Sequence, residues 1–84
     1  MKHDELITKL KRIILPYIQD EKAFQELSME TDFIRDLKIN SANLVDIVLD
    51  VEDEFDIKIE NDDMEKMISV EGAVGIITTR LKEG

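Results

Sequence analysis

Between Ser41 and Phe55 the apolar residues Leu44, Ile47, Val48, Val51 and Phe55 recur three and four positions apart, with no glycine or proline among them. At about 100° per residue these side chains gather on one face of an α-helix. Asp46, Asp50, Asp53 and Glu54 take the opposite side, Val45 and Leu49 fall at the edge of the apolar arc, and Glu52 lies beside Val45. A helix this one-sided must bury its stripe against other elements of the chain.

Two further stripes answer it. Leu6, Leu10, Ile13, Ile14 and Tyr17 follow the same spacing in a first helix, which Asp4 is placed to cap and which Pro16 should kink or end. Val70, Ala73, Val74, Ile77 and Leu81 form the inward stripe of a last helix, with Ser69 as its cap. Gly72 and Gly75 weaken that helix by about 1 kcal/mol each relative to alanine. Asn61 is placed to cap a short helix over Asp62–Ile68. The segment DEKAFQELSMETDFIRDL reads as a long connection with one or two short turns, tied to the core by Phe24, Leu27, Phe33 and Leu37. The alternation in DIKIE is strand-like but too brief for a sheet of its own. Internal repeats and low-complexity segments are absent from the sequence, and glycine and proline are too sparse for an internal linker. The expected fold is an all-α bundle of three main helices and one short one, with residues 1–84 as a single domain.

Composition narrows the chemistry. The chain has 84 residues, 43% of them hydrophobic, so it folds around a modest core. It lacks cysteine, which removes disulfides, thiolate metal sites and a cysteine nucleophile. Its one histidine, His3, sits near the start of the chain and reads as a solvated terminal residue. Neither a Ser–His nor a Cys–His pair is available, so the chain is not expected to be an enzyme by itself. Twenty acids against 11 bases give a charge of −9, which repels nucleic acids and anionic membranes and favours basic protein partners. Apolar runs stay short of the roughly 20 residues that span a bilayer. The opening MKHDELITKL has neither the pattern of a signal peptide nor that of a transit peptide, and a cytoplasmic monomer is expected.

Ser41 stands at the head of the acidic helix, where serine is a common N-cap. Asn40 is an equally good cap, so two capping residues stand in series. The free N–H groups and dipole of a helix start tolerate negative charge, and a phosphate ester on Ser41 would sit well there. From these residues alone, phosphopantetheinylation is one possibility among several.

Residues 33 to 70, FIRDLKINSANLVDIVLDVEDEFDIKIENDDMEKMISV, resemble an acyl carrier protein. In that family a Phe and an Asp-Leu pair precede a Gly-X-Asp-Ser-Leu motif. An acidic amphipathic helix, an EEEF-like end, an Ile-rich turn and a short AEKI-like helix follow. Phe33, Asp36-Leu37, Asn40-Ser41, VEDEFDIKI and MEKMISV keep that order and spacing, and with the first and last helices in register the match covers nearly the whole chain. The resemblance implies that Ser41 carries a 4′-phosphopantetheine arm, taken from coenzyme A by a separate phosphopantetheinyl transferase, whose thiol supplies thioester chemistry. It also implies that Asn40, Asp46, Leu49, Glu52 and Asp53 meet partner proteins. The expected function is to carry acyl intermediates for fatty acid, polyketide or related lipid synthesis, presented to synthases or ligases with basic docking patches. A D-alanyl or other aminoacyl carrier, and an unmodified acidic binding module, are the alternatives.

Three positions depart from the family pattern. Asn40 replaces the motif aspartate, which keeps a cap but removes a charge a transferase would meet. Ala42 replaces the leucine after the serine, and Lys38 the preceding glycine, as if the loop did not need a positive φ there. These departures suggest a specialised carrier. The acids of the helix face have no basic residue between positions 39 and 57, and like charges repel along a helix, so a basic partner surface explains them better than solvation alone. Calcium is the rival use. An EF-hand loop begun at Asp50 would need Gly and Glu where Phe55 and Asn61 stand, so no metal site is expected. Met64 and Met67 read as core residues, adaptable enough to part for an acyl guest.

Overall fold

The computed structural model describes residues 2–83, with the side chains of His3 and Glu83 outside that description. Five helices follow in order: α1 (His3–Ile14), α2 (Glu21–Gln25), α3 (Leu44–Phe55), α4 (Asn61–Met64) and α5 (Val70–Glu83). Short 3₁₀ turns cover Leu15–Tyr17, Ser41–Asn43 and Glu65–Ile68. The three long helices make the bundle, as their stripes predict, and α2 is a single short helix within the long connection. DIKIE forms no strand; the only β-pairing among the described residues is one antiparallel bridge between Asp32 and Ser69.

α1 begins earlier than expected. The Leu6 N–H bonds to the Lys2 carbonyl at 3.1 Å, which places Asp4 inside the first turn instead of at the cap. There its charge complements the positive end of the helix dipole. Pro16 does end the α-helix: the chain tightens into the 3₁₀ turn immediately before it, with proline near the start of that turn, where its missing N–H costs nothing. α2 is capped by Asp20, whose Oδ1 accepts the Ala23 N–H at 3.0 Å.

Leu6, Leu10 and Ile14 of α1 meet Ile47, Val48, Val51 and Phe55 of α3 and Val70, Ala73, Val74, Ile76 and Ile77 of α5 in one core. Leu44 and Leu81, at the ends of their stripes, are only half-buried. Phe33 and Leu37 bring the connection into this core as expected, Phe24 and Leu27 pack at its margin, and Ile39 joins it as well. Burial of a side chain the size of Phe33 is worth about 1.5–3 kcal/mol, enough to hold a loop that has little secondary structure of its own.

α4 starts one residue before its expected cap. Glu60 is the N-cap and Asn61 is the first helical residue. The Glu60 N–H donates to Asp63 Oδ2 at 3.4 Å, and the same carboxylate is ion-paired with Arg80 of α5. The hydrogen bond from Arg80 is the main cause that holds the Asp63 carboxyl below the usual carboxylate range. Ser69 caps α5, its Oγ accepting the Gly72 N–H at 3.0 Å. The two glycines of α5 differ in kind. A Cβ on Gly72 would lie 1.8 Å from the Lys66 carbonyl oxygen, whereas one on Gly75 would meet open space. Met67 is fully buried and Met64 packs at the core margin.

Candidate functional site

The approach to Ser41 is organised by backbone hydrogen bonds to buried or carboxylate partners. Thr31 is buried, and its Oγ1 accepts the Ser28 N–H at 2.9 Å. Its carbonyl takes the Val70 N–H at 3.0 Å, and the Phe33 N–H donates to the Ile68 carbonyl at 2.8 Å. These bonds clamp the loop to the start of α5. Asp32 then folds the chain on itself: Oδ1 accepts the N–H groups of Ile34 and Arg35 at 2.9 and 2.7 Å, and its own N–H donates to Asp36 Oδ2 at 2.8 Å. The Leu37 carbonyl receives the Gln19 N–H at 2.9 Å, which ties the loop to the end of the first helical segment.

Lys38 follows with φ = 59°, in the left-handed region. The expectation that this position has no need of a positive φ is therefore wrong: lysine adopts the conformation that glycine reaches without cost. The bend lets the Ile39 N–H reach back to the Phe33 carbonyl at 3.0 Å and sends the Ile39 side chain into the core. Phe33 and Ile39, one at each end of the bend, therefore fix its position through packing as well as bonding.

Asn40 resolves which of the two capping residues caps. Its backbone is extended, its Oδ1 accepts the Ala42 N–H at 2.9 Å, and its carbonyl accepts the Asn43 N–H at 2.8 Å. Ser41 is the first residue of the 3₁₀ turn, exposed, and its hydroxyl has no hydrogen bond among the described residues. The α-helix proper starts at Leu44, so the first turn is tighter than the sequence pattern suggests. The arrangement leaves a free hydroxyl at the head of a helix whose capping duty is already met by its neighbour. Among the described residues no base is hydrogen-bonded to that hydroxyl.

On α3, Leu49 and Val45 are 57% and 51% exposed and lie one helical turn apart, a small apolar patch. Asp46 and Asp53 are exposed, without hydrogen bonds or ion pairs to other described residues. Glu52 has an internal task besides the partner contact expected of it: its Oε2 accepts the Ile59 N–H at 2.7 Å and holds the α3–α4 connection. Asp56 ends α3 in a left-handed conformation, φ = 52°. Asp50 accepts a bond from the Tyr17 hydroxyl at 3.2 Å; desolvation, that bond, and the charges of Asp50 and Asp46 hold the phenol above its ordinary pKa. Arg12 of α1 shares a cleft with Asp50, Asp53 and Glu54, and Lys9 lies 5.8 Å from the Phe55 ring. Three of the acids that looked uncompensated along the sequence thus have one cationic neighbour from α1, Arg12, at the C-terminal half of the helix. Neither these contacts nor the left-handed Lys38 has a local sequence signature; only the fold brings the first set together. Among the described residues no group of three or more His, Cys, Asp and Glu side chains is placed to hold a metal ion.

No protein-family model matches the chain. Individual relatives do. An acyl carrier protein of Petrotoga mobilis is 35% identical over 81 residues, covering 96% of this chain and 93% of that protein. The chain belongs to the acyl carrier protein family. An acyl carrier protein of Picosynechococcus is 36% identical over 78 residues, 93% of this chain and 94% of that protein. One of Exiguobacterium is 40% identical over 60 residues, 71% and 76% of the two chains. The helical bundle is the fold expected of an acyl carrier protein. Among the described residues no helix is long and apolar enough to cross a membrane.

Proposed function

We propose that the chain, as a single domain, carries acyl intermediates on a 4′-phosphopantetheine arm attached to Ser41, serving fatty acid synthesis or a related lipid pathway. The observation that carries this reading is the exposed, unbonded Ser41 hydroxyl beside an asparagine that already caps the helix. A phosphate ester fits there: the hydroxyl is reachable, the helix start favours negative charge, and the nearest acids in sequence, Asp36 and Asp46, stand five positions away on either side. In loading, the Ser41 oxygen–phosphorus bond forms as the pyrophosphate link of coenzyme A breaks. Adenosine 3′,5′-bisphosphate leaves, and the hydroxyl proton passes to a base of the transferase. When bound, the arm supplies the thiol that a cysteine-free chain lacks.

The chain is non-catalytic in this reading. It works as a cytoplasmic monomer whose partners are a phosphopantetheinyl transferase and synthases or ligases with basic docking patches. Leu49 is the apolar anchor, Asp46 and Asp53 form its charged rim, and Asn40 and Glu52 lie at the edges of the contact. Intact mass after co-expression with a broad-specificity transferase tests the central claim. The wild type should gain the mass of one arm, and Ser41→Ala should gain none while its helical circular dichroism is unchanged. Modification that persists in Ser41→Ala would move the site elsewhere. A wild type unmodified by several transferases would leave an acidic binding module.

A further inference from the structure

We propose that Lys38 is a positioning residue for the phosphate delivered to Ser41, an inference that rests on Ser41 being the attachment site. Between Asp36 and Asp46, Lys38 is the one charged side chain in the sequence, and it is a cation in a chain of charge −9. Ile39 is buried, while Lys38, Asn40 and Ser41 are all exposed, so both the lysine and the acceptor hydroxyl are open to solvent. Three residues of fully extended chain span at most about 10 Å, and the four-carbon stem of lysine can close much of that gap.

The ammonium of Lys38 is uncommitted: it has neither an ion pair nor a hydrogen bond among the described residues. It borders a shallow cleft of about 320 Å³ with Asp20, Glu26, Arg35 and Asp36, where cations and acids are mixed and none is joined to Lys38 by an ion pair. Asn40 places no negative charge between the lysine and the serine. A phosphate at the Ser41 oxygen, three residues along the chain, would add an anion within reach of this unpaired ammonium, in competition with the carboxylates of that cleft. Lysine meets phosphate as a mobile point charge, which suits a group that arrives as a pyrophosphate and remains as a phosphodiester. In the transfer step the serine–phosphorus bond forms, the pyrophosphate bond breaks, and the leaving bisphosphate carries the displaced charge. Lys38 stays protonated throughout and exchanges no proton.

The test uses the full chain, a broad-specificity transferase and coenzyme A. Lys38→Gln removes the charge but keeps a Cβ and a long side chain on the left-handed bend, and Lys38→Arg keeps the charge. The Michaelis constant for coenzyme A should rise about two- to fivefold in Lys38→Gln at low salt, with kcat little changed, and the gap should close at high salt. Lys38→Arg should restore the wild-type value. A Lys38→Gln value equal to wild type, an arginine variant as impaired as glutamine, or a change confined to the Michaelis constant for the chain would overturn the proposal. The last of these would place Lys38 against the transferase itself. The phosphorus-31 resonance of the loaded chain separates the two phosphate sources. A shift between wild type and Lys38→Gln that salt removes assigns the contact to the phosphodiester as well. An unmoved resonance beside a raised constant for coenzyme A confines the contact to the loading step. Failure of the wild type to load would instead strike the Ser41 reading beneath it.

Discussion

The segments on either side of Ser41 are built on opposite plans. From Phe33 to Val45 two cations, Arg35 and Lys38, accompany one acid, Asp36; from Asp46 to Asp63 nine acids accompany one base, Lys58. The first segment is ordered by discrete polar bonds that run from Thr31 and Asp32 to the start of α5, together with the buried side chains of Phe33, Leu37 and Ile39. The second is ordered by an apolar stripe that turns its charge outward. Placement of the Ser41 hydroxyl therefore depends on hydrogen bonds and packing that salt barely touches. In the proposed reading, attraction of a partner depends on charge that salt screens within about 8–10 Å. In that reading the two tasks are separable by mutation.

The largest effect should come from the anchor of the loop. In Gly72→Ala the new methyl would collide with the Lys66 carbonyl, which is backbone and cannot rotate away. Displacing it costs about 3 kcal/mol. The strain passes to the loop, because Phe33 and Val70 are bonded across the same junction. Gly75→Ala, in open space, should instead gain up to about 1 kcal/mol through helix propensity. Urea unfolding measures both. In Gly72→Ala, loading of Ser41 should slow under conditions where α3 is still fully folded. Equal stabilities for the two variants would remove the anchor from the account.

On the other side of Ser41, Leu49→Ala should weaken binding to an enzyme that uses the loaded chain by about 1–2 kcal/mol at every salt concentration. Asp46→Asn with Asp53→Asn should flatten the salt dependence and leave high-salt affinity near wild type. Glu52→Gln should act mainly on stability, because its carboxylate holds the Ile59 N–H. Surface-plasmon titrations across a salt series distinguish these. A wild-type slope in the double variant would return Asp46 and Asp53 to the role of solvated surface and move recognition to the loop.

The same contrast explains what could be read from the sequence. The helices were legible because Leu44, Ile47, Val48, Val51 and Phe55, and the matching stripes of α1 and α5, must bury themselves in any bundle. Ser41 was legible through the resemblance of residues 33 to 70 to the carrier family; the residues alone left two caps in series, and the Asn40–Ala42 bond shows that Asn40 is the one that caps. Asp4 and Asn61 were misplaced as caps because Asp and Asn are welcome both at the cap and in the first turn, and bonds made elsewhere decide. The Arg80–Asp63 and Tyr17–Asp50 pairs join residues far apart in the chain, which no local pattern encodes. Lys38 was misread for a different reason: side-chain identity reports a left-handed backbone only when the residue is one that favours it.

The smallest predicted effect isolates that last point. Among the described residues, Lys38 and Asp56 are the two non-glycine residues with positive φ, one before and one after the acidic helix. For a lysine the left-handed region costs about 1–2 kcal/mol, partly offset by the roughly 0.5–1 kcal/mol of chain entropy that glycine loses on folding. Lys38→Gly should therefore raise stability by about 0.5–1 kcal/mol. Aspartate visits this region more readily, so Asp56→Gly should change stability by only a few tenths of a kcal/mol, in either direction. Thermal and urea unfolding at matched salt give both values. If Lys38→Gly is more stable yet loads coenzyme A as poorly as Lys38→Gln, then strain and charge act separately at one residue. The backbone bend serves the fold and the ammonium serves the phosphate. If it loads like the wild type, the lysine's charge is irrelevant to Ser41. A loss of stability in Lys38→Gly would show that the lysine stem packs on the loop strongly enough to outweigh its strained backbone.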